Sequence, residues 1–337
     1  MSTVTAPRTL AGTGISTTPL GLGCATIYRE PTAKRRRRLL DAAFDAGIRH
    51  FDVAPMYGLG IAERELGRFA QGRRDQVVIA TKFGIAPTRA ARAIGRVQGP
   101  ARRLLAASPG LSSRARSTAA GPGSSSAGAM LYAATGFAGS SVRMSLERSL
   151  RELKTDYVDL LLFHDPAPGQ VRGDEVCASL EDARATGRIR SWGVAGEPAP
   201  TVEVARELGV ASPVLQVRDD ILEDARLPEL PAAGLITFGV LGSGVPAILA
   251  HVNETAARRR AWQAAVGADC GDPVVVAGLL LRWALGGNPN GVVLFGSTRS
   301  DHIVSGAAAA GGPGDLDSFL SLVDVELRAA SEARADA

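Results

Sequence analysis

Lysine is the scarcest charged residue in this chain of 337 residues, since only Lys34, Lys82 and Lys154 occur among 38 basic residues. Arginine therefore carries nearly all of the positive charge, and each lysine is more informative than usual. Aromatic residues make up only 5% of the chain and charged residues 21%, against 45% hydrophobic residues. This composition is typical of a globular protein with a large core and excludes a disordered chain.

Cysteine is also rare, with three residues at Cys24, Cys177 and Cys270. The odd number and wide spacing exclude a disulfide framework and a cysteine-based metal site. The N-terminus lacks the basic-then-apolar pattern of a secretion signal. No apolar run approaches the roughly 18 residues that a membrane span needs. We therefore predict a cytoplasmic protein with no membrane segment and no metal.

The formal net charge of +4 comes from one segment of the chain. Residues 86–140 carry seven arginines and no acidic residue, and removing these seven charges leaves a net charge of −3. The run KRRRR at 34–38 begins an amphipathic helical pattern, which favours a solvated helix face over a nucleic-acid patch. We therefore predict that nucleic acid is not a partner.

Short apolar runs alternate with helical patterns along most of the chain. The predicted strands cover 20–23, 49–54, 77–83, 157–164, 189–195, 214–217, 235–240 and 291–296. The predicted helices cover 32–46, 60–71, 139–153, 173–186, 200–208, 273–286 and 315–332, with a short one between the sixth and seventh strands. Alternation of this kind predicts βαβ units, and eight units predict an α/β fold that closes as a (β/α)8 TIM barrel.

Two segments stand outside this alternation. Residues 8–18 are predicted to form an N-terminal hairpin over the bottom of the barrel. Residues 86–140, rich in Arg, Gly and Ser, are predicted to be a mobile insertion after the third strand, within a single barrel domain covering 1–337. Two interpretations of the insertion stay open: a segment without function, or a lid that recognises an anionic or carrier-linked substrate.

Four reactive side chains lie at or just after the ends of three consecutive predicted strands: Asp52, Tyr57, Lys82 and His164. Each alone is compatible with an ordinary structural role, such as a turn cap or a packed loop side chain. In a barrel, however, the carboxyl ends of the strands meet at one rim. These four residues are therefore predicted to share one site.

Together the four residues suit the reduction of a carbonyl group. Tyr57 can donate a proton to the developing alkoxide, and the ammonium of Lys82 beside it is expected to lower the pKa of the phenol. Asp52 would keep Lys82 charged, and His164 would hydrogen-bond the substrate oxygen. A hydride must come from a cofactor, because no side chain can donate one.

Three stretches carry a resemblance to the aldo/keto reductase superfamily: GIRHFDVAPMYGLGIAERELG, VVIATKFG and TDYVDLLLFHDP. The chain resembles this family along nearly its whole length, close to the branch of aldose and pyridoxal dehydrogenases. The resemblance implies an NAD(P)-dependent oxidoreductase that acts on a small carbonyl compound or sugar, with the catalytic tetrad Asp52, Tyr57, Lys82 and His164. A non-catalytic, NADP-binding regulatory barrel is the alternative.

The resemblance also implies a set of cofactor contacts, to which Asp52 belongs. Gly23, Cys24 and Ala25 correspond to the loop near the nicotinamide ribose. Ala195 and Gly196 stand where the family has the Ser-Asn pair that holds the carboxamide, so backbone, water or Glu197 would replace those bonds. Gln216 corresponds to a third carboxamide partner, and Phe238 to the tyrosine that stacks on the nicotinamide.

The remaining implied contacts hold the phosphates. Gly239, Leu241, Gly242 and Ser243 correspond to the loop over the pyrophosphate. The adenosine-phosphate segment corresponds to Gly296, Ser297, Thr298, Arg299 and His302. Arg299 could contact a 2′-phosphate, so NADPH is the expected cofactor, although His302 in place of a second arginine leaves NAD as an alternative.

Overall fold

The computed structural model describes residues 6–93, 131–171, 173–208, 214–223, 234–309 and 311–328. In these ranges the strands are, in chain order, β1 (Arg8–Leu10), β2 (Ile15–Thr17), β3 (Leu20–Gly23), β4 (His50–Asp52), β5 (Val78–Phe83), β6 (Ile85–Pro87), β7 (Tyr132–Ala134), β8 (Val158–His164), β9 (Ile189–Gly196), β10 (Val214–Arg218), β11 (Gly234–Phe238) and β12 (Val292–Phe295). Eight of them form a closed parallel barrel in the order β10-β11-β12-β3-β4-β5-β8-β9. The predicted (β/α)8 barrel is confirmed.

Helices cover the outside of the barrel: α1 (Ala33–Asp45), α2 (Ile61–Ala70), α3 (Gly139–Leu153), α4 (Gly173–Ala185), α5 (Pro198–Glu207), α6 (Gly244–Val252), α7 (Ala256–Val266), α8 (Pro273–Gly287), α9 (Ser300–Ala309) and α10 (Leu316–Val323). Three of these, α6, α7 and α9, are absent from the sequence-based prediction. Within the predicted final helix, α10 ends at Val323 and a π-helical segment continues to Arg328, while 329–332 lie outside the described residues.

Capping explains where several helices begin. The hydroxyl of Thr32 accepts a hydrogen bond from Arg35 N at the start of α1, and Thr255 does the same for Arg258 N at the start of α7. The basic run at the start of α1 is only partly a solvated face. Arg36 is buried, and its charge is compensated there: it donates to Glu30 O at 2.7 Å and pairs with Glu65 at 3.3 Å.

The hairpin of β1 and β2 closes the N-terminal end of the barrel, as predicted. Leu10 and Ile15 are fully buried among side chains that fill the barrel interior, such as Val214 and Ile236. A side chain at Gly234 would collide with this plug, because its Cβ would lie 2.8 Å from Leu10 Cγ. The bottom of the barrel is therefore sealed, and the opposite rim is the open end.

The two ends of the predicted insertion pair with each other as strands, which the sequence did not predict. β6 and β7 form an antiparallel pair just outside the barrel, after β5. Phe137, which follows β7, packs its ring 5.9 Å from that of Phe83. Residues 94–130, where the predicted mobile segment and most of its arginines fall, lie outside the described residues, as does most of the short helix predicted before β11. A single domain over 1–337 stays a prediction.

Candidate functional site

A cavity of about 510 Å³ opens at the carboxyl ends of the barrel strands. Its wall includes all four residues of the predicted tetrad, Asp52, Tyr57, Lys82 and His164. The strand register explains this, because Asp52 ends β4, Lys82 is the penultimate residue of β5 and His164 ends β8, and these three strands are neighbours. Parallel strands present their ends at one edge, so residues far apart in sequence face the same space.

A tight turn positions Tyr57 over this end of the barrel. Gly58 and Leu59 adopt left-handed backbone conformations, with φ of 59° and 58°. Gly58 also packs directly against Tyr28, since a Cβ at Gly58 would lie 2.3 Å from Tyr28 Cβ. Only glycine fits such a conformation and such a contact at the same time. The glycine after the tyrosine is therefore a requirement of the turn.

Lys82 is the centre of a buried network. Its Nζ lies 2.6 and 2.7 Å from the two carboxylate oxygens of Asp52, and both side chains are almost fully buried. The same Nζ lies 3.4 Å from the hydroxyl of Tyr57 and 3.4 Å from the carbonyl oxygen of Val53. The ammonium is thus held by a carboxylate on one side and faces the phenol on the other.

The charges of this network shift its pKa values. Burial is the largest single effect and favours a lower pKa for Lys82, but the charges of Asp52 and Tyr57 and the hydrogen bonds to them together outweigh burial and leave the pKa of Lys82 raised. Burial raises the pKa of Tyr57, and the charge of Lys82 opposes this rise without reversing it. Lys82 thus lowers the pKa of Tyr57 as expected, but the net shift is upward because desolvation of the phenolate is the larger effect. Tyr57 is a neutral phenol at neutral pH.

His164 faces Tyr57 across the cavity. The two rings stand nearly perpendicular, at 89°, with their centroids 6.0 Å apart. Burial and the nearby charge of Lys82 lower the pKa of His164 to about 3. The imidazole is therefore neutral at physiological pH, and one of its nitrogens can donate a hydrogen bond while carrying no charge.

The predicted nicotinamide side of the site lies on the wall of the same cavity. The implied cofactor residues found there are Gly23, Ala25, Asp52, Ala195, Gly196, Gln216, Phe238, Gly239, Leu241, Gly242 and Gly296. Gln216 is buried, its amide hydrogen-bonds Asp52, and its Oε1 has no hydrogen-bond partner among the described residues. A buried acceptor without a partner is uncommon in a folded protein and points to a ligand donor at this place.

A second cavity of about 210 Å³ adjoins the first and shares Leu241, Phe295 and Gly296 with it. Ser297 and His302, two residues of the implied adenosine segment, line this second cavity. The larger cavity lies at the tetrad, and the smaller one is lined by residues of α6, α8 and α9. The two adjoining cavities are called the channel below.

Four implied cofactor residues line neither cavity. Cys24 is fully buried in the core, with its Sγ 3.8 Å from Leu22 O. Ser243 donates its hydroxyl hydrogen to the carboxylate of Asp220. Thr298 lies at the start of the segment leading to α9, and Arg299 is exposed and paired with Asp301, Nε to Oδ1 at 3.2 Å.

The structure also adds residues that sequence reasoning missed. Asp165, directly after His164, and Arg218, two residues after Gln216, both line the first cavity. Arg218 Nε donates to both oxygens of Glu197 at 2.9 and 3.1 Å, and its guanidinium lies 5.7 Å from the centre of the Phe238 ring. The alternation of side chains along β10 was a usable signal for Arg218, because residues 216 and 218 of a strand face the same way.

Two kinds of feature are absent from the described ranges. No group of three or more His, Cys, Asp or Glu side chains in them is placed to hold a metal ion. None of the helices in these ranges combines the length and the apolar character that crossing a bilayer requires.

Comparison with known proteins agrees with this geometry. The sequence profile of the aldo/keto reductase family matches residues 19–311. The D-threo-aldose 1-dehydrogenase of Pseudomonas sp is 30% identical over 250 residues, which cover 70% of this chain and 69% of that protein. The pyridoxal 4-dehydrogenase of Microbacterium luteolum is 42% identical over 80 residues, covering 23% of each chain.

A solved structure has the same fold. The aldo-keto reductase from Klebsiella pneumoniae, determined in complex with NADPH, superposes with a TM-score of 0.65 and 20% identity over 94% of both chains. The profile match spans most of the chain and contains all four tetrad positions. The chain therefore belongs to the aldo/keto reductase family.

Proposed function

We propose that this protein is an NAD(P)-dependent oxidoreductase that interconverts a carbonyl group and an alcohol, with Tyr57 as the residue that transfers the proton. The observation that carries the proposal is the meeting of four side chains in one cavity. Tyr57 lies 3.4 Å from Lys82, Lys82 is paired with Asp52, and His164 faces the phenol. Carbonyl reduction requires a proton donor, a charge that supports the donor and a group that holds the carbonyl oxygen.

Each residue has a distinct task in the proposed reaction. Tyr57 keeps its proton at neutral pH, because burial raises its pKa, and gives that proton to the substrate oxygen as negative charge develops there. Lys82 stabilises the resulting phenolate, and Asp52 keeps Lys82 charged and in place. His164 donates an uncharged hydrogen bond that positions the same oxygen. In the opposite direction the phenolate accepts the proton of the alcohol.

NADP(H) fits the residues of the channel and would supply the hydride that no side chain can provide. Gln216 offers an acceptor without a partner, and Phe238 offers a flat aromatic face. Glycines at 23, 239, 242 and 296 leave the backbone open along the wall. Ser297 and His302 extend the site into the narrower cavity toward the adenosine end.

Arg299 is proposed to set the preference for NADPH. Its guanidinium is exposed and paired with Asp301, and its backbone amide donates to Ser297 Oγ at the wall of the second cavity, so a 2′-phosphate bound there would compete for it. We expect Arg299→Ala to weaken NADP⁺ binding about tenfold, the lower end of the range for a hydrogen bond to a charged group, and to leave NAD⁺ binding unchanged. Calorimetric titration of both cofactors measures this difference.

The matched control for this experiment is Arg184→Ala. Arg184 is an equally exposed arginine, paired with Glu181 on α4 and remote from the channel. Arg184→Ala should change neither the affinity for NADP⁺ nor the affinity for NAD⁺. An equal loss of NADP⁺ and NAD⁺ binding in Arg299→Ala would rule out a contact with the 2′-phosphate.

The proposed substrate is a small hydroxylated aldehyde or sugar. The name of the Pseudomonas relative, D-threo-aldose 1-dehydrogenase, supports an aldose. The charges of the cavity wall support an uncharged substrate, because Lys82 is paired with Asp52, Arg218 is paired with Glu197, and Asp165 adds a further carboxylate. An anionic or carrier-linked substrate would depend on the arginines of 86–140, most of which lie outside the described residues.

A substrate screen tests the proposed function. Aldoses, hydroxyaldehydes and pyridoxal are incubated with NADPH or NADP⁺, and the absorbance of the reduced nicotinamide is followed. We expect turnover with at least one hydroxylated aldehyde or sugar. Tight cofactor binding with no turnover for any compound would favour the regulatory, non-catalytic barrel instead. The complete tetrad supports catalysis.

We also propose that the protein works in the cytoplasm. All three cysteines are unpaired, and Cys24 and Cys270 are buried in the core. A reducing compartment preserves such thiols, whereas secreted proteins generally pair their cysteines.

A further inference from the structure

Gly196, the last residue of β9, has no side chain, and the carboxylate of Asp165 occupies the adjoining space. A Cβ built on Gly196 would lie 2.9 Å from Asp165 Oδ1 and 3.0 Å from Thr201 Oγ1. A side chain at position 196 would require the Asp165 carboxylate to move, whereas Thr201 would need to shift by only a few tenths of an ångström. A polar side chain at position 196 and the observed position of Asp165 therefore exclude each other, and Asp165 supplies the polar atom at this place.

The backbone at Asp165 accounts for this placement. Asp165 has a φ of 49°, in the left-handed region that aspartate tolerates better than most residues. Its amide donates to Ala195 O at 2.8 Å, which ties it to the neighbouring strand. The chain therefore turns sharply after β8, and the carboxylate comes to lie beside the end of β9.

The carboxylate of Asp165 has capacity to accept hydrogen bonds. No described residue donates a hydrogen bond to this carboxylate: His164 Nε2 lies 3.8 Å from Oδ2, beyond hydrogen-bond distance, and more than half of the Asp165 side chain is exposed at the cavity wall. Glu197, the other carboxylate nearby, is already engaged by Arg218. Of the two carboxylates, Asp165 and Glu197, on this part of the cavity wall, Asp165 is thus the one that is free to accept a hydrogen bond from a ligand.

A second acceptor without a partner lies on the other side of β9. Gln216 Oε1 is buried, and Gln216 is paired in register with Ala195, the residue that precedes Gly196. On the opposite side, Ala195 is paired with His164, the residue that precedes Asp165. Two acceptors therefore flank the end of β9, one from β10 and one from the turn after β8. A primary amide nitrogen, with two N–H donors, matches such a pair.

We propose that Asp165 replaces the missing side chain at position 196 and that Asp165 and Gln216 together accept the two N–H groups of the nicotinamide carboxamide. The proposal rests on the proposed function, because it requires NADP(H) in this channel. It makes Asp165 a residue that positions the cofactor. A charged acceptor makes a stronger hydrogen bond than a neutral one. This offsets the absence, at Ala195 and Gly196, of the neutral Ser and Asn side chains that the family has at these positions.

The test compares binding of NADP⁺ and of its 3-acetylpyridine analogue, in which a methyl group replaces the amine of the carboxamide. Calorimetry gives both dissociation constants without any turnover. The wild-type protein is expected to bind NADP⁺ about tenfold or more tightly than the analogue. Asp165→Gly, which suits the left-handed backbone, is expected to lose most of this preference by weakening NADP⁺ binding alone, while Gln216 retains the rest.

Two further variants separate a direct contact from a general disturbance. Glu197→Ala is expected to keep the preference for NADP⁺, because its carboxylate is held by Arg218. The double variant Asp165→Gly/Gly196→Asn returns a polar side chain to β9 and is expected to restore the preference. Melting temperatures establish that each variant is folded.

Each alternative outcome has a separate meaning. If the wild-type protein binds neither dinucleotide, the proposed function itself fails. If it binds NADP⁺ but Asp165→Gly keeps the full preference over the analogue, the assignment of Asp165 is wrong while the proposed function stands. If Asp165→Gly keeps the preference for NADP⁺ but has a raised KM for hydroxylated substrates, Asp165 contacts the substrate. That result would overturn the proposal.

Discussion

Replacing Tyr57 by phenylalanine is expected to lower kcat by about 10²–10⁴-fold, the usual contribution of a general acid, while NADP⁺ binding stays unchanged. The variant keeps the aromatic ring and its edge-to-face packing with His164 but removes the hydroxyl that is proposed to give a proton to the substrate oxygen. Steady-state kinetics with the substrate found in the screen gives kcat, and calorimetry gives the cofactor affinity.

Tyr157→Phe is the matched control for this loss. Tyr157 precedes β8 at the closed end of the barrel, where Arg74 stacks on its ring at 3.8 Å, so its hydroxyl is remote from the cavity. Removing the hydroxyl of Tyr157 should leave kcat unchanged. A Tyr57→Phe variant that retains most of its turnover would show that another group transfers the proton, and the proposed mechanism would fail.

Replacing Lys82 by methionine is expected to destabilise the protein as well as to abolish turnover. The change leaves the carboxylate of Asp52, which is 3% exposed, without its cation. Breaking a buried ion pair by removing one partner costs about 3–5 kcal/mol, because the remaining charge is desolvated and unpaired. Urea denaturation measures the lost free energy of unfolding, and the same kinetic assay measures the lost activity.

The double variant Asp52→Asn/Lys82→Met separates stability from catalysis. It removes both charges, and replacing a complete buried pair by neutral groups is often close to neutral for stability. We therefore expect most of the unfolding free energy to return, with no return of turnover. Recovery of turnover in this variant would mean that the ammonium has no part in the chemistry. A double variant as unstable as Lys82→Met would mean that packing, and not charge, causes the loss.

The neutral state of Tyr57 and His164 has a consequence for the reaction direction. Burial raises the pKa of Tyr57, so the phenol carries its proton before a carbonyl is reduced but holds that proton more tightly than a free phenol does. The same shift disfavours the phenolate that alcohol oxidation needs, and Lys82 counteracts this cost. The proposed tetrad can therefore work in both directions, with the ammonium as the group that makes oxidation accessible.

The barrel could be predicted because its strands are short, apolar and regularly spaced. The predicted strand at 157–164 corresponds to β8, and the one at 77–83 to β5, each within one residue. The helices α6 and α9 escaped prediction, because Gly244 and Pro246 disfavour a helix and α9 consists largely of small residues. Helix α7 carried readable signals in its Thr255 cap and Gly267 stop, which the sequence analysis overlooked.

The sequence by itself determined the alternation of strands and helices, the order of the four reactive residues and their meeting at one rim. These depend on local hydrophobic patterns and on the rule that parallel strands end together. Only the tertiary structure decided that burial outweighs Lys82 at Tyr57, that Glu197 is engaged by Arg218, and that Asp165 fills the space beside Gly196. Such outcomes depend on distances of a few ångströms and on desolvation between segments distant in sequence, which no local pattern of residues specifies.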